Sequence, residues 1–141
     1  MDKRMVERYL VDAEQALIDA EIAKNGKINK SFRGKISSFG AAVTTGSLLA
    51  AVAFFNEQRG AKTEQHKLMV AINKMLDNNN LGQGNNLFEK VKNTAQGSPK
   101  RRKLKEHILA CAVALKLAMN LFELEEEKNQ QDDAKQEEVS A

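Results

Sequence analysis

The sequence predicts an all-α, single-domain bundle of about five to six helices. Apolar residues recur every three to four positions in one segment after another. No run alternates at period two over a strand's length, and β-branched residues are scarce. The chain has one proline in 141 residues, with Ala, Leu, Lys and Glu abundant. A domain of this length buries roughly 68–70% of its unfolded surface, enough for a core without staples.

The first helix is expected from about Asp2 to Ala23. Met5, Tyr9, Ala13, Ala16 or Leu17, and Ala20 make its apolar stripe, and Asn25-Gly26 is read as its C-terminal cap. A basic linker, Lys27 to Lys30, leads to a second helix capped by Ser31 and running through Phe32 to Thr45. Gly46 marks either a break or a close backbone approach, since Gly costs a helix about 1 kcal/mol relative to Ala. Ser47 to Asn56 follows as a helix apolar nearly all round. It is therefore expected at the centre, with Phe54 buried. Gln58-Arg59-Gly60 closes it.

Thr63 is the expected cap of a fourth helix, with Leu68, Met69, Ile72, Met75 and Leu76 on one face. Asp77 to Asn86, DNNNLGQGNN, is a loop by its chemistry. Leu87 to Thr94 is a short helix. Ser98-Pro99 starts the last one, with Ser as N-cap and Pro at the first helical position. This helix is expected to reach Glu127 on a seam of Leu104, Ile108, Cys111, Leu115, Ala118 or Met119, and Phe122. The division is thus a helical domain, 1–127, and a disordered acidic tail, 128–141, with almost nothing apolar to bury.

Ile36–Phe55 is twenty residues without a charge, long enough to cross a bilayer. Its Ser, Thr and Gly content marks it instead as a buried core segment, and the expectation is no membrane. MDKRMVERYL is too charged to begin a secretory signal. A single cysteine forms no internal disulfide and fits a reducing, cytoplasmic location.

The chain carries +3, unevenly spread. From Glu123 onward, eight acids against Lys128 and Lys135 give −6, which leaves +9 on residues 1–122. The folded body is basic, and a polyanionic partner is one reason for such a charge.

No catalytic or metal centre is legible, and no cofactor is expected. His66 and His107 lie on different helices without ligand partners at spacing, and both are read as surface or boundary residues. Cys111 falls on an apolar seam as an inert hydrophobe. The GQG at 82–84 is too short to cradle a phosphate and does not join a strand to a helix.

Basic clusters at helix starts are the positive signal. Residues 100–105 read KRRKLK, five cations in six positions. The helix dipole disfavours cations there, by typically 0.3–1 kcal/mol each. Lys100, Arg101, Arg102, Lys103 and Lys105 are therefore read as a phosphate-facing surface beside free backbone N–H groups. Reversing Arg101, Arg102 and Lys103 is expected to leave the fold intact, because they lie off the apolar seam. A second patch holds Lys24, Lys27, Lys30, Arg33 and Lys35 around Phe32. Its RNA-binding candidates are Lys27, Lys30, Arg33 and Lys35. Phe32 is either a stacking platform for a base or a core anchor.

The segment FRGKISSFGAAVTTGSLLAAVAFF, Phe32 to Phe55, resembles the signature of the small helical subunit of type III-B CRISPR effector complexes, the Cmr complexes. The resemblance rests on Phe32-Arg33, Ile36 to Gly40, Gly46, Leu48-Leu49 and Ala53-Phe54. Arg8, Tyr9 and Ala13 in the first helix fit it, as does the Ala- and Leu-rich CAVALKLAMNLFEL. It implies a helical bundle stacked head to tail with copies of itself and beside other Cmr subunits. Such a subunit lines the channel for guide RNA paired with target RNA in antiviral RNA-guided interference. It is a structural subunit, not the nuclease. The alternative is a helical protein–protein adaptor without direct nucleic-acid binding.

Overall fold

The computed structural model describes residues 2–57 and 63–126, with the backbone alone at 63. The expected closing loop Gln58-Arg59-Gly60, the Thr63 cap and the tail 128–141 lie outside the described side chains. Six α-helices are present among the described residues: α1 (Lys3–Asp19), α2 (Ser31–Thr45), α3 (Leu48–Phe55), α4 (Thr63–Asn78), α5 (Leu87–Lys92) and α6 (Pro99–Ala118). Three short strands accompany them: β1 (Ala23–Lys24), β2 (Lys27–Asn29) and β3 (Glu123–Glu125). The fold is mostly helical, as the periodicity predicts.

Asp2 caps α1 by accepting from the Arg4 N–H at 2.9 Å. Tyr9, Ala13, Ala16 and Leu17 are buried along it. The helix stops four residues before the expected end. Glu21 takes the left-handed conformation (φ 61°), and the Ile22 N–H reaches the Leu17 carbonyl at 3.0 Å. This is a Schellman ending built on a non-glycine residue. Asn25-Gly26 is consequently not a helix cap. Both residues have positive φ (54° and 77°), as a two-residue turn between antiparallel strands requires. That turn pairs Ala23 with Ile28 and Lys24 with Lys27.

The last helix also differs from expectation. It ends at Ala118 and passes through a 3₁₀ turn, Met119–Leu121. Residues 123–125 then form a strand parallel to β2, pairing Lys27 with Glu123, Ile28 with Leu124 and Asn29 with Glu125. The sheet order is β1-β2-β3. Ile28 is fully buried, so this small sheet covers the end of the bundle.

Asn29, not Ser31, caps α2: its Oδ1 accepts the Ser31 N–H at 2.9 Å. Gly46 is a break rather than a packing contact. It is extended (φ −132°, ψ −151°), and Ser47 caps α3 by accepting from the Ala50 N–H. α3 is not at the centre as expected: it packs on α2, α4 and α5 with one face out, and its buried aromatic is Phe55, at 4% exposure, and not Phe54, at 54%. Phe55 lies edge-on to Phe39 with ring centroids 5.2 Å apart. An eight-residue helix packed on one side must still turn one aromatic outward, and the register chose Phe54.

α6 is the axis of the bundle, packed by α1, α2 and α4. Leu104, His107, Ile108, Cys111, Leu115 and Ala118 are buried on it. α1 and α6 run parallel: Tyr9 meets His107 near their starts, and both helices lead into strands of one sheet. Met69, Met75 and Met119 are core residues, as their spacing predicts. No described helix is long and apolar enough to cross a membrane.

Candidate nucleic-acid interface

Ser98 opens α6 by accepting the Arg101 N–H at 3.1 Å, with Pro99 in the first turn. This start projects the KRRKLK run. Lys100, Arg102 and Lys103 are exposed, and Lys105 is half-buried. None of the four has an ion pair or side-chain hydrogen bond among the described residues. A solvated lysine can still reach for a phosphate, whereas one already paired must first break that pair.

Arg101 stands apart from its neighbours. Its Nε donates to Thr94 Oγ1 at 3.0 Å, and its Nη2 donates to the carbonyls of Val91 and Thr94 at 2.9 and 2.8 Å. These oxygens belong to the last turn and exit of α5, where carbonyls lack intrahelical partners. Arg101 thus caps α5 and ties it to α6. The expectation that its reversal leaves the fold intact is corrected on this point, because distance from the apolar seam does not free an arginine.

Parallel packing adds a contributor that sequence reasoning missed. α1 starts at the same end as α6, which brings Arg8 to the side of the molecule that carries Lys103. Both Arg8 and Lys103 act on His107. Its imidazole is held below the ordinary value first by burial, then by the Lys103 and Arg8 charges. This end of the bundle is therefore basic on two helices. The signal was present in Arg8, but only a parallel α1–α6 pair makes it one surface.

The second patch is different in kind. Lys27 Nζ lies 3.3 Å from Glu125 Oε1 across β2–β3. Lys35 is ion-paired with Glu64 and sits 5.6 Å from the Phe32 ring centroid. Phe32 itself is 4% exposed, a core anchor. Lys30 is exposed at the start of α2, with its N–H on the Glu125 carbonyl at 2.7 Å. Arg33 is half-buried one turn on. This patch lies by the sheet, at the far end of α6 from Lys100. Twenty helical residues span about 30 Å, so the two patches bracket the long axis rather than merge.

Two buried polar groups were also missed. His107, read as a surface or boundary residue, is 4% exposed and shares a hydrogen bond of 2.7 Å with the Tyr9 hydroxyl through Nδ1. Its place beside Leu104, Ile108 and Cys111 on the seam was the available signal. Lys90 is fully buried, with Nζ 2.6 Å from Asn73 Oδ1, 2.8 Å from Asp77 Oδ1 and 2.9 Å from the Gly84 carbonyl. It clips the Asn- and Gly-rich loop to α4. A side chain at Gly82 would come within 2.8 Å of Lys90 Cδ, and one at Gly84 within 2.7 Å of Glu89 Cβ, so the GQG glycines serve this closure.

What the cluster offers is electrostatic attraction for anions. The Cys111 thiol is pushed well up by burial, so it stays protonated. Among the described residues, no three His, Cys, Asp or Glu side chains gather to hold a metal ion.

Comparison with known proteins agrees with the Phe32–Phe55 resemblance. The family model described as CRISPR-associated protein (Cas_Cmr5) matches residues 10–120, from the first turns of α1 to the 3₁₀ turn. No curated protein and no solved structure matches the chain. A match over well more than half of the chain, from within α1 through the whole of α6, settles the family: this chain belongs to the Cas_Cmr5 family of CRISPR-associated proteins, the small structural subunits of Cmr complexes.

Proposed function

We propose that this chain is a non-catalytic structural subunit of a type III-B CRISPR ribonucleoprotein and holds guide and target RNA by their phosphates. The observation that carries the proposal is the exposed trio Lys100, Arg102 and Lys103 at the start of α6. It has no ion partners among the described residues and is flanked by Arg8. Cations there oppose the helix dipole, so a fold optimised for its own stability would not choose them. Lys105 belongs to the same surface. Arg101 positions it by locking α5 to α6. Lys27, Lys30, Arg33 and Lys35 form a secondary surface about one helix-length away, where Lys30 and Arg33 are the better phosphate ligands because Lys27 and Lys35 are already paired.

Subunit docking is the second part of the role. Val113, Leu117 and Leu121 follow one another at four-residue spacing, 37%, 47% and 66% exposed. Apolar side chains left out on the axis helix suit contacts with other Cmr subunits, including copies of this chain. A cytoplasmic site of action goes with this reading.

Phosphate contacts position RNA without reading its sequence. Replacing Lys100, Arg102 and Lys103 by Glu should therefore weaken target-RNA binding by the assembled complex to a similar degree for unrelated guide–target pairs. Unchanged binding, with subunit incorporation intact, contradicts the RNA role and leaves the adaptor.

A further inference from the structure

A half-open cavity of about 280 Å³ lies between the loop after α4, the exit of α5 and the first turns of α6. Its mouth carries Lys100 and Lys103, and Asn80, Gln83 and Asn93 supply its amides. Leu81 and the buried Leu104 give it apolar surface. No acid, histidine or cysteine lines it. This composition provides hydrogen-bonding groups and positive charge but no nucleophile or metal ligand. The site is built for holding.

The cavity is preorganised. Lys90 fixes the loop from beneath through the Gly84 carbonyl. Asn93 Nδ2 donates to the Gln83 carbonyl at 2.7 Å, and Glu89 Oε2 accepts the Asn85 N–H at 2.7 Å. Asn80 is held in the left-handed conformation (φ 56°) at the Schellman ending of α4, where the Leu81 N–H reaches the Leu76 carbonyl at 2.9 Å. Yet the side-chain amides of Asn80 and Gln83 make no hydrogen bond among the described residues. A pinned loop with unused amides has already met the ordering cost of binding.

Size narrows the ligand. Pockets for drug-sized molecules run from roughly 300 to 1,000 Å³, so this one suits a flat one- or two-ring group. Amides present a donor and an acceptor side by side, which matches the edge of a nucleobase, and single-stranded RNA is recognised through such splayed bases. Lysines at the mouth suit the phosphates on either side. We infer that this cavity receives one unstacked nucleobase of the RNA held by Lys100 and Lys103. The inference rests on the RNA-binding reading and adds a base contact to it.

The test uses complexes assembled with the full chain and target RNA carrying photoreactive bases. A base in the cavity should crosslink to the 80–83 loop or to Leu104. A good amide contact to a base edge is worth about fivefold or more in how often that base occupies its site. The Asn80→Gly, Gln83→Ala pair should therefore lower crosslinking at Leu104 at least fivefold. It keeps the positive φ at 80 and every lysine, so overall RNA affinity should change far less. Suppose no base crosslinks there while the Lys100, Arg102 and Lys103 reversal still weakens RNA binding. Then the cavity is not a base site and the phosphate reading stands. Absence of both effects overturns the two together.

Discussion

The Tyr9 hydroxyl and His107 Nδ1 lie at hydrogen-bond distance, 2.7 Å, joining residues 98 positions apart inside the core. The rings meet edge to face with centroids 5.7 Å apart. Burial, the largest influence on this ring, favours its neutral form. The pair sits within the parallel packing of α1 on α6, where Arg8 and Lys103 both act on the same imidazole.

Stability should depend on pH through this pair. Burial, then Lys103 and Arg8, lower the His107 value in the folded chain, while Glu106 opposes them. The unfolded chain takes up a proton near 6.5 and the folded chain resists it. The contribution is therefore full above 6.5 and is lost as pH falls from there toward the lowered native value. Melting temperature should drop between pH 7 and 5, and His107→Gln should flatten that drop. A profile identical in wild type and variant would contradict the buried neutral imidazole.

The two adjacent aromatics of α3 should behave differently. Phe55→Ala empties a core site against Phe39 and should cost about 3–5 kcal/mol. Phe54 is half out of the protein, with its centroid 5.5 Å from that of Phe55, and its removal should cost about 1 kcal/mol or less. Urea unfolding of both variants measures the contrast. Equal losses would mean that the register of α3 is wrong.

Arg101 and Lys103 separate fold from function within one cluster. Arg101→Ala removes the guanidinium bonds to the Val91 and Thr94 carbonyls and to Thr94 Oγ1 and should cost about 1.5–3 kcal/mol, the range for hydrogen bonds from a charged group. Lys103→Ala should be within about 0.5 kcal/mol of wild type. Thermal unfolding of the isolated subunit distinguishes them. A neutral Arg101→Ala would return that residue to the phosphate surface.

Much of this was legible locally. The Ser98-Pro99 start and the methionines of the core follow from propensity and spacing, and the break at Gly46 is one of the two readings its glycine allowed. What was missed depends on partners far away in sequence. The left-handed Glu21 carries no glycine, so the ending of α1 has no local mark, and Asn25-Gly26 was available to be misread. A three-residue strand such as Glu123–Glu125 exists only because β2 is beside it. Lys90 looks like a solvated cation until the loop folds over it. At the interface, the charges of 100–105 were visible, but the diversion of Arg101 into an α5 cap was not. The parallel arrival of Arg8 was equally hidden.

If the Lys100, Arg102 and Lys103 surface holds RNA by its phosphates, as proposed, that hold is electrostatic and must respond to salt. The most direct measurement is the salt dependence of target-RNA binding by complexes carrying these three residues as Glu. Each phosphate contact on a single strand contributes about −0.7 to the slope of log affinity against log salt, so losing three should flatten it by about two units. The isolated variant should be as stable as wild type or slightly more so, because acids suit the start of α6. A weaker, flatter binding curve from an intact subunit is the predicted result. Wild-type affinity and slope at every salt concentration would contradict the account.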